Sequence, residues 1–461
     1  MPRGLDALGN RVSRVAGLPV EQTLSVPTQR DTRAAVAVWL ERLAVLLSAF
    51  TLVWGPLAQG STFGWGRSGL TLLGLVTTAV LLAALSVRGR LPARSGVWPV
   101  VVLALIGWIW LSVRWAPTQI DALRSAGLWT GSLGVALTVQ LLARGRRAWL
   151  VLSALLIAGL CSLALAFLQT RSVMVPGYIY LPGVGPSLVT GPYFNPSHFS
   201  GFLIVISALL MGGVLFTRVH VHTALLLVAL MGLHLLDFKT DSSSIPAVLL
   251  ATGLPVLVWI WTRQRWVGVA LTALLLGGML YGGQYFLSAG GQVRFAQVQR
   301  DVGLHNQWNL FLKARRGVWR YGREMWSTHP WTGVGTGQFY VEAPGYRAPE
   351  RTEGTGVDRY AVNYAHNDAL QVGAELGSPG VVLYGLVLLL PLIRRGRSFS
   401  RLVWWSALPA LLFAGTYDAH LTAIPGTAVV AFGLAALAAG PANFTRRGQR
   451  WPVPDAVGEP E

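Results

Sequence analysis

Long runs of apolar residues alternate with short polar connections along most of the chain. A run of about 20 apolar residues can cross a bilayer as one helix, whereas membrane strands show short alternating segments. The pattern therefore predicts an all-α polytopic membrane protein with about 12 transmembrane helices. The predicted spans are 36–58, 68–87, 97–113, 125–143, 149–169, 197–217, 221–238, 245–262, 266–288, 371–393, 402–418 and 422–440.

Arginines are distributed unevenly between the connections. Alternate loops hold most of them, such as those with Arg88, Arg144 and Arg394, and the opposite loops hold few. Because positively charged loops stay in the cytoplasm, both termini are predicted to be cytoplasmic and a large segment between spans nine and ten lies outside. The predicted organisation is a tail at 1–35, spans at 36–288, a large periplasmic loop at 289–370, spans at 371–440 and a tail at 441–461.

Composition excludes several classes of protein. Hydrophobic residues make up 53% of the chain and charged residues only 12%, about half the usual share in soluble domains, which excludes a soluble enzyme and a disordered chain. The net charge of +18 comes largely from loop arginines that contact lipid headgroups, so membrane lipid is an expected partner and nucleic acid is not. Cys161 is the only cysteine, which excludes an internal disulfide and a cysteine-built metal site.

An amphipathic helix is predicted at 309–327, inside the outer segment. Its basic stripe contains Arg316 and Arg320, and tryptophans lie on the other side, as in a helix resting on a membrane surface. Arg315 falls in the middle of the apolar face, where an arginine is costly without an anionic partner. Two interpretations stay open: Arg315 reaches water or pairs with a buried acid, or it binds a phosphate group.

Two motifs follow this helix. HPWTGVGTGQF, at 329–339, spaces Gly333 and Gly335 so that backbone N–H groups can approach an anion, although such spacing is also common in tight turns. His366 comes just before a long apolar helix, where an imidazole could accept a proton from a hydroxyl group. The alternative is a helix cap formed by Asn367 or Asp368, with His366 merely at the interface.

Other polar residues are weaker candidates. Glu375 lies about 180° from His366 around an ideal helix, so a direct pair is not expected. Asn195 and the following proline indicate a helix start. For His198, the inward and the outward orientation are equally expected. Lys239 precedes a run of serines, which by itself indicates only a hydrophilic turn.

The order of these motifs resembles the signature of the bacterial O-antigen ligase and polysaccharide polymerase superfamily. The resemblance rests on Arg315-x-x-x-Trp319, HPWTGVGTGQF and AHNDALQVGAELGSPGVVLY, and the upstream FNPSHFSGFL is similar to a further motif of that family. It covers roughly residues 190–390. One departure concerns the serines after the seventh span, where the family usually has a Ser-Arg pair. Here TDSSS has no arginine, and Lys239 is a candidate replacement.

The resemblance implies a GT-C-like architecture and an inverting, metal-independent glycosyltransferase without a cofactor. Its site would lie on the periplasmic face of the bacterial inner membrane. Its substrates would be an undecaprenyl-diphosphate-linked glycan and a sugar or lipid-linked acceptor, and a polysaccharide flippase or export system is an expected partner. His366 would be the reaction-centre histidine and Arg315 its companion. The substrate-binding candidates are Arg316, Arg320, Lys239, Asn195, His198, Gly333, Gly335, Asn367 and Glu375, and no metal ligand is expected.

Two reactions fit the resemblance, namely joining repeat units into a longer polymer and transferring a finished polymer to an acceptor such as lipid A core. Polymerisation is the preferred reading. A transporter or flippase is an alternative of another class. It is disfavoured because the two halves of the chain show no evident repeat and the spans lack charges at their centres.

Overall fold

The computed structural model describes residues 29–89, 96–217, 219–274, 277, 307–346, 362–393 and 398–440, and every regular element in these ranges is helical. In chain order the helices are α1 Gln29–Leu57, α2 Gly64–Arg88, α3 Trp98–Ser112, α4 Gln119–Leu142, α5 Arg146–Gln169, α6 Pro196–Phe216, α7 His220–Phe238, α8 Ile245–Arg263, α9 Arg265–Leu274, α10 Gln307–Thr328, α11 Phe339–Glu342, α12 Asp368–Ile393, α13 Phe399–Ala414 and α14 Pro425–Ala439. Short 3₁₀ turns follow α1, α3 and α11.

Within the described ranges, eight helices are long and apolar enough to cross a membrane: α1 to α7 and α12. They coincide with predicted spans one to seven and ten, which confirms the prediction of a polytopic helical membrane protein. Helices α8, α9, α13 and α14 are shorter and apolar. Helices α8, α13 and α14 coincide with predicted spans eight, eleven and twelve, and α9 covers the first part of predicted span nine. The total of twelve spans, the domain boundaries and the sidedness stay predictions. Residues 1–28, 278–306, 347–361 and 441–461, which carry parts of the predicted tails and outer segment, lie outside the described residues.

The centre of the bundle is built on small residues. Helices α4, α6 and α14 are buried along most of their length. Because lipid tails are as apolar as leucine, helices in a membrane associate through close packing more than through a hydrophobic driving force. A Cβ atom added to Gly74 of α2 would lie 2.6 Å from the backbone of Gly131 in α4. Glycine at this crossing lets the two helix backbones touch.

A buried carboxylate joins three helices at the end of the bundle that is predicted to be cytoplasmic. Glu41 of α1 accepts from Arg88 Nη1 at 2.6 Å and from Arg147 Nη1 at 2.8 Å, one arginine on each of its oxygens. Two guanidinium groups compensate for the desolvation of one buried acid. The arginines that indicate topology therefore also tie α2 and α5 to α1.

Helix α10 packs against other parts of the protein along the described part of its apolar face. Val318 and Met325 belong to a small outer core with Val334 and Phe339. The indole of Trp319 donates to the carbonyl of His366 at 3.2 Å. This differs from the expectation of a surface-resting helix, because α12 and the glycine-rich turn offer the apolar face a protein partner.

Candidate active site

A break in α12 holds the glycine-rich turn in place. Gly377 has φ 64° and ψ −171° inside this helix, and Pro379 has no N–H to donate back to Glu375. The N–H groups of Val334 and Gly335 donate instead to the carbonyls of Ala374 at 2.8 Å and Glu375 at 2.9 Å. The turn therefore supplies the hydrogen bonds that the helix loses at the break.

The side chain of Glu375 fastens the same turn from inside. Its carboxylate accepts from the N–H of Gly337 at 2.8 Å and of Phe339 at 3.3 Å, and from Gln371 Nε2 at 2.8 Å. Gly333 has φ 63°, and a Cβ atom there would lie 2.3 Å from the backbone of Glu375. The anion that these backbone N–H groups approach is thus a carboxylate of the chain itself.

His366 is paired with an acid from the connection between α13 and α14. Its Nδ1 lies 3.1 Å from Oδ1 of Asp418, although the two residues are 52 positions apart in the chain. The side chain of Asp418 is 3% exposed and that of His366 is 23% exposed, so the acid lies behind the ring. The arrangement is an Asp–His pair at the predicted outer ends of the helices.

The pKa shifts define the charge state of this pair. Burial by itself raises the pKa of Asp418, but the hydrogen bond from His366 and the charges of His420, His366 and Arg315 outweigh it and hold the pKa below its usual range. Burial lowers the pKa of His366, the bond to Asp418 opposes this shift, and the nearby Arg315 adds to it. Because an ionised Asp418 can only accept, the proton of a neutral His366 sits on Nδ1. The lone pair is then on Nε2.

Arg315 also lies close to the carboxylate of Asp418. Its Nη2 lies 4.0 Å from Oδ2 of Asp418, and its side chain is 14% exposed. Of the two interpretations left open by the sequence, the structure therefore shows a buried acid beside Arg315. It also shows that Arg315 faces a cleft, where a ligand could reach it.

Tyr364 connects the two histidines of the site. Its Oη shares a hydrogen bond of 3.0 Å with Nε2 of His198, and its ring centroid lies 4.1 Å from that of His366. Burial and the nearby Asp418 raise the pKa of Tyr364, so its phenol stays protonated. Asn195 accepts from the N–H of Ser197 at 2.8 Å, which confirms its prediction as the cap of α6.

One cleft of about 1450 Å³ brings most of these side chains together. Gln371 links its two sides, because it accepts from the N–H of Ala365 at 2.6 Å and donates to Glu375. Within the described residues, no group of three or more His, Cys, Asp or Glu side chains could hold a metal ion. The predicted site residues that line the cleft are Asn195, His198, Arg315, His366 and Glu375.

Other predicted site residues lie elsewhere. Arg320 is 3.6 Å from Glu324 on the same helix, and Lys239 Nζ donates to the carbonyl of Pro186 at 2.8 Å. Asn367 accepts from the N–H of Leu370 at 2.9 Å, as the capping alternative predicted. These three side chains do not line the cleft, and Gly333 and Gly335 contribute to it only by shaping the turn. The side chain of Arg316 lies outside the described part of the structure.

The sequence reasoning missed Asp418, Tyr364 and His420. Nε2 of His420 lies 3.0 Å from Oγ of Ser244, and this buried contact joins the serine run after α7 to the connection that carries Asp418. The predicted span 402–418 includes residue 418, whereas α13 ends at Ala414. The signal that could have found these residues is an acid and a histidine in one short outer connection between two apolar helices.

The fold and the site define a multi-pass membrane protein with an Asp–His pair and an arginine beside one cleft. Residues 238–385 match a protein-family model described as O-antigen ligase, and this match supports the resemblance to the O-antigen ligase and polymerase superfamily. The match supports an enzyme of ligase or polymerase type that acts on a lipid-linked polysaccharide and an acceptor. It includes Arg315, His366 and Glu375 but not Asp418. No curated protein matches the chain.

Proposed function

We propose that this protein is an inverting glycosyltransferase that joins glycan repeat units linked to undecaprenyl diphosphate at the outer face of the cytoplasmic membrane. The observation that carries the proposal is the contact of one buried carboxylate, Asp418, with both His366 and Arg315 beside a single cleft. Attack by a hydroxyl group on a diphosphate-linked sugar needs a base for the hydroxyl proton and a cation for the leaving group. Here one acid holds both.

In the proposed reaction, Nε2 of His366 accepts the proton of the acceptor hydroxyl. The hydroxyl oxygen bonds to the anomeric carbon from the face opposite the diphosphate. The bond between that carbon and the diphosphate oxygen breaks, and its electron pair leaves with the diphosphate. Asp418 stabilises the imidazolium that forms, and His366 then releases its proton to water.

Arg315 supports the departure of the leaving group. The diphosphate gains negative charge as its bond to the sugar breaks, and a guanidinium group that meets this charge lowers the barrier. A charge pair at about 4 Å and an effective dielectric of about 20 is worth about 4 kcal/mol before desolvation. This corresponds to roughly a thousandfold in rate if the interaction is gained only in the transition state.

Replacing Asp418 by asparagine should change both the rate and its pH dependence. Wild-type kcat should fall with acid below the pKa of His366, which lies under its ordinary value of 6.5. Asp418 raises that pKa, so Asp418→Asn should move the acidic limb to lower pH while kcat drops at neutral pH. A kcat–pH profile measures both effects.

Glu324→Gln is the control for this kcat–pH profile. Glu324 lies on the exposed side of α10, so its replacement should not move the acidic limb of the profile. An acidic limb that stays unchanged, or moves to higher pH, in Asp418→Asn would contradict the assignment of His366 as the titrating base.

Transfer of a finished polysaccharide to a separate acceptor such as lipid A core is the second candidate, and the description of the matching family favours it. Both reactions begin from the same donor and need the same base and cation. They differ only in the acceptor, so the choice depends on the products.

Purified protein in lipid vesicles, supplied only with a lipid-linked repeat unit, should produce a ladder of longer glycans, because the repeat unit is both donor and acceptor in a polymerase. Gel electrophoresis of the labelled glycan measures the ladder. Product that forms only after lipid A core is added would identify a ligase instead. No product in either case, from a protein that unfolds cooperatively on heating, would refute the enzyme proposal.

A further inference from the structure

A second pocket lies at the opposite end of the bundle, which is predicted to be cytoplasmic. Its volume is about 210 Å³, and the residues that line it are Glu41, Arg88, Leu141, Leu142, Arg144 and Arg147. One water molecule needs only about 15 Å³, so this pocket has room for a larger polar group. None of the described residues lines both this pocket and the cleft of the proposed reaction centre.

The charges that line the pocket are unbalanced. Three arginines and one carboxylate leave a net charge of +2. Glu41 accepts from Arg88 and from Arg147, in each case through Nη1, whereas a guanidinium group has five N–H donors. The side chains of Arg88 and Arg147 are 33% and 28% exposed, so a ligand in the pocket could reach their other donors.

The start of α5 adds to this positive charge. The N-terminus of a helix carries a partial positive charge, which a capping side chain or an acidic residue in the first turn usually compensates. In the first turn of α5, which the structure describes completely, there is no acidic residue, and the N-cap Gly145 has no side chain to accept a hydrogen bond. Arg146 and Arg147 occupy these first positions instead. An anion in the pocket would therefore be stabilised by the helix end as well as by the arginines.

The pocket lies where lipid headgroups are expected. Arg88 is the last residue of α2 and Arg147 is in the first turn of α5, and both helices are long and apolar enough to cross a membrane. Beside Arg147, Trp149 is 60% exposed and Leu150 is 41% exposed. Exposed apolar side chains and a tryptophan next to arginines are typical of the boundary between acyl chains and headgroups. This location favours a ligand that is anionic and belongs to the membrane, because basic pockets between helix ends bind phospholipid headgroups.

We propose that this pocket binds the phosphodiester headgroup of an anionic phospholipid, with Arg144 and Arg147 on the phosphate oxygens and the acyl chains along the outer face of α5. A planar guanidinium group matches two phosphate oxygens, and Glu41 holds that of Arg147 in place. The bound lipid would connect the ends of α4 and α5. This inference does not depend on the proposed function, since the ligand is a component of the membrane and the pocket is separate from the reaction centre.

The test is equilibrium binding of fluorescently labelled phosphatidylglycerol to the purified full-length protein in a non-ionic detergent. Arg144→Gln should weaken the affinity by at least about tenfold, because a hydrogen bond between two charged groups is lost. Arg144 is exposed, and its replacement leaves the contacts of Glu41 with Arg88 and Arg147 in place. Arg144→Lys should give an intermediate affinity, since an ammonium group keeps the charge but not the planar pair of donors.

Arg263→Gln is the matched control. Arg263 is also an exposed arginine, it ends α8 on the side predicted to be cytoplasmic, and it does not line the pocket. Its replacement removes the same charge and should leave the affinity unchanged. Equal weakening in Arg144→Gln and Arg263→Gln would show that overall charge attracts the lipid, and wild-type affinity in Arg144→Gln would show that the pocket is not used. Either result would overturn the proposal.

Competition separates the lipid from free phosphate. Inorganic phosphate should displace the labelled lipid at least about tenfold less effectively than unlabelled phosphatidylglycerol, because it has no acyl chains to bury. Phosphatidylcholine should also compete poorly, since its quaternary ammonium group cancels the charge of its phosphate. Displacement by inorganic phosphate as effective as that by phosphatidylglycerol would identify a site for a soluble anion and refute the lipid. Equal displacement by phosphatidylcholine would refute the requirement for a negative charge.

Discussion

Replacing His366 by asparagine is expected to lower kcat by about a hundred- to ten-thousandfold, with little change in KM for the lipid-linked donor. The variant removes the nitrogen that accepts the hydroxyl proton but leaves Arg315 and the cleft in place. Asparagine is the suitable replacement because His366 has φ 48°, in the left-handed region that asparagine adopts more readily than alanine. Initial rates of glycan transfer at saturating donor measure the loss.

His329→Asn is the matched control for this variant. His329 is an exposed histidine at the end of α10, where its Nδ1 lies 3.1 Å from Oγ1 of Thr328, and it does not line the cleft. Its kcat should stay within about twofold of the wild type, since exposed sites away from a reaction centre contribute little. A His366→Asn protein that is folded and transfers glycan at the wild-type rate would remove the general base from the proposed mechanism.

Replacing Glu375 by alanine is expected to lower the free energy of unfolding by about 3 kcal/mol or more. The substitution leaves the N–H groups of Gly337 and Phe339 and the amide of Gln371 without their shared acceptor in a buried environment. The glycine-rich turn would then keep its contacts to the carbonyls at the break in α12 and the hydrogen bonds of Thr336 and Gln338 to α3, α4 and the connection between them. Thermal unfolding in detergent, together with protease cleavage near residues 329–339, measures the loss.

Glu324→Ala provides the comparison for Glu375. Glu324 is 45% exposed and, among the residues that the structure describes, pairs only with Arg320 on its own helix, so its loss should change stability by less than about 0.5 kcal/mol. Equal stability of the two variants would show that the carboxylate of Glu375 does not hold the turn.

The helical membrane architecture could be predicted because its signal is local. Length and apolarity of a run decide whether a segment can span the bilayer, and the runs at α1 to α7 and α12 meet both conditions. The cap at Asn195 was predictable for the same reason, since a cap depends on residues two or three positions apart. The protein contacts of α10 were not predicted, because an amphipathic pattern shows that a face is apolar but not what covers it.

Only part of the candidate site could be predicted from the sequence. Arg315 and His366 stood out because each has a charge or a titratable ring in an apolar context, and the structure places both beside Asp418. The glycine-rich turn was predicted to approach an anion, but nothing in its spacing indicated that this anion is Glu375. Lys239 was chosen by its position in the chain, which carries no information about the direction of its side chain.

The amino-acid sequence by itself determined the helical membrane class, the superfamily motifs and two of the three residues at the proposed reaction centre. Only the tertiary structure decided that Asp418 holds His366 and Arg315 together and that Glu375 fastens the turn. The physical reason is the distance along the chain over which each effect acts. Helix formation and membrane insertion depend on neighbouring residues, whereas a site is assembled from helix ends far apart in the chain, and packing alone brings them within hydrogen-bond distance.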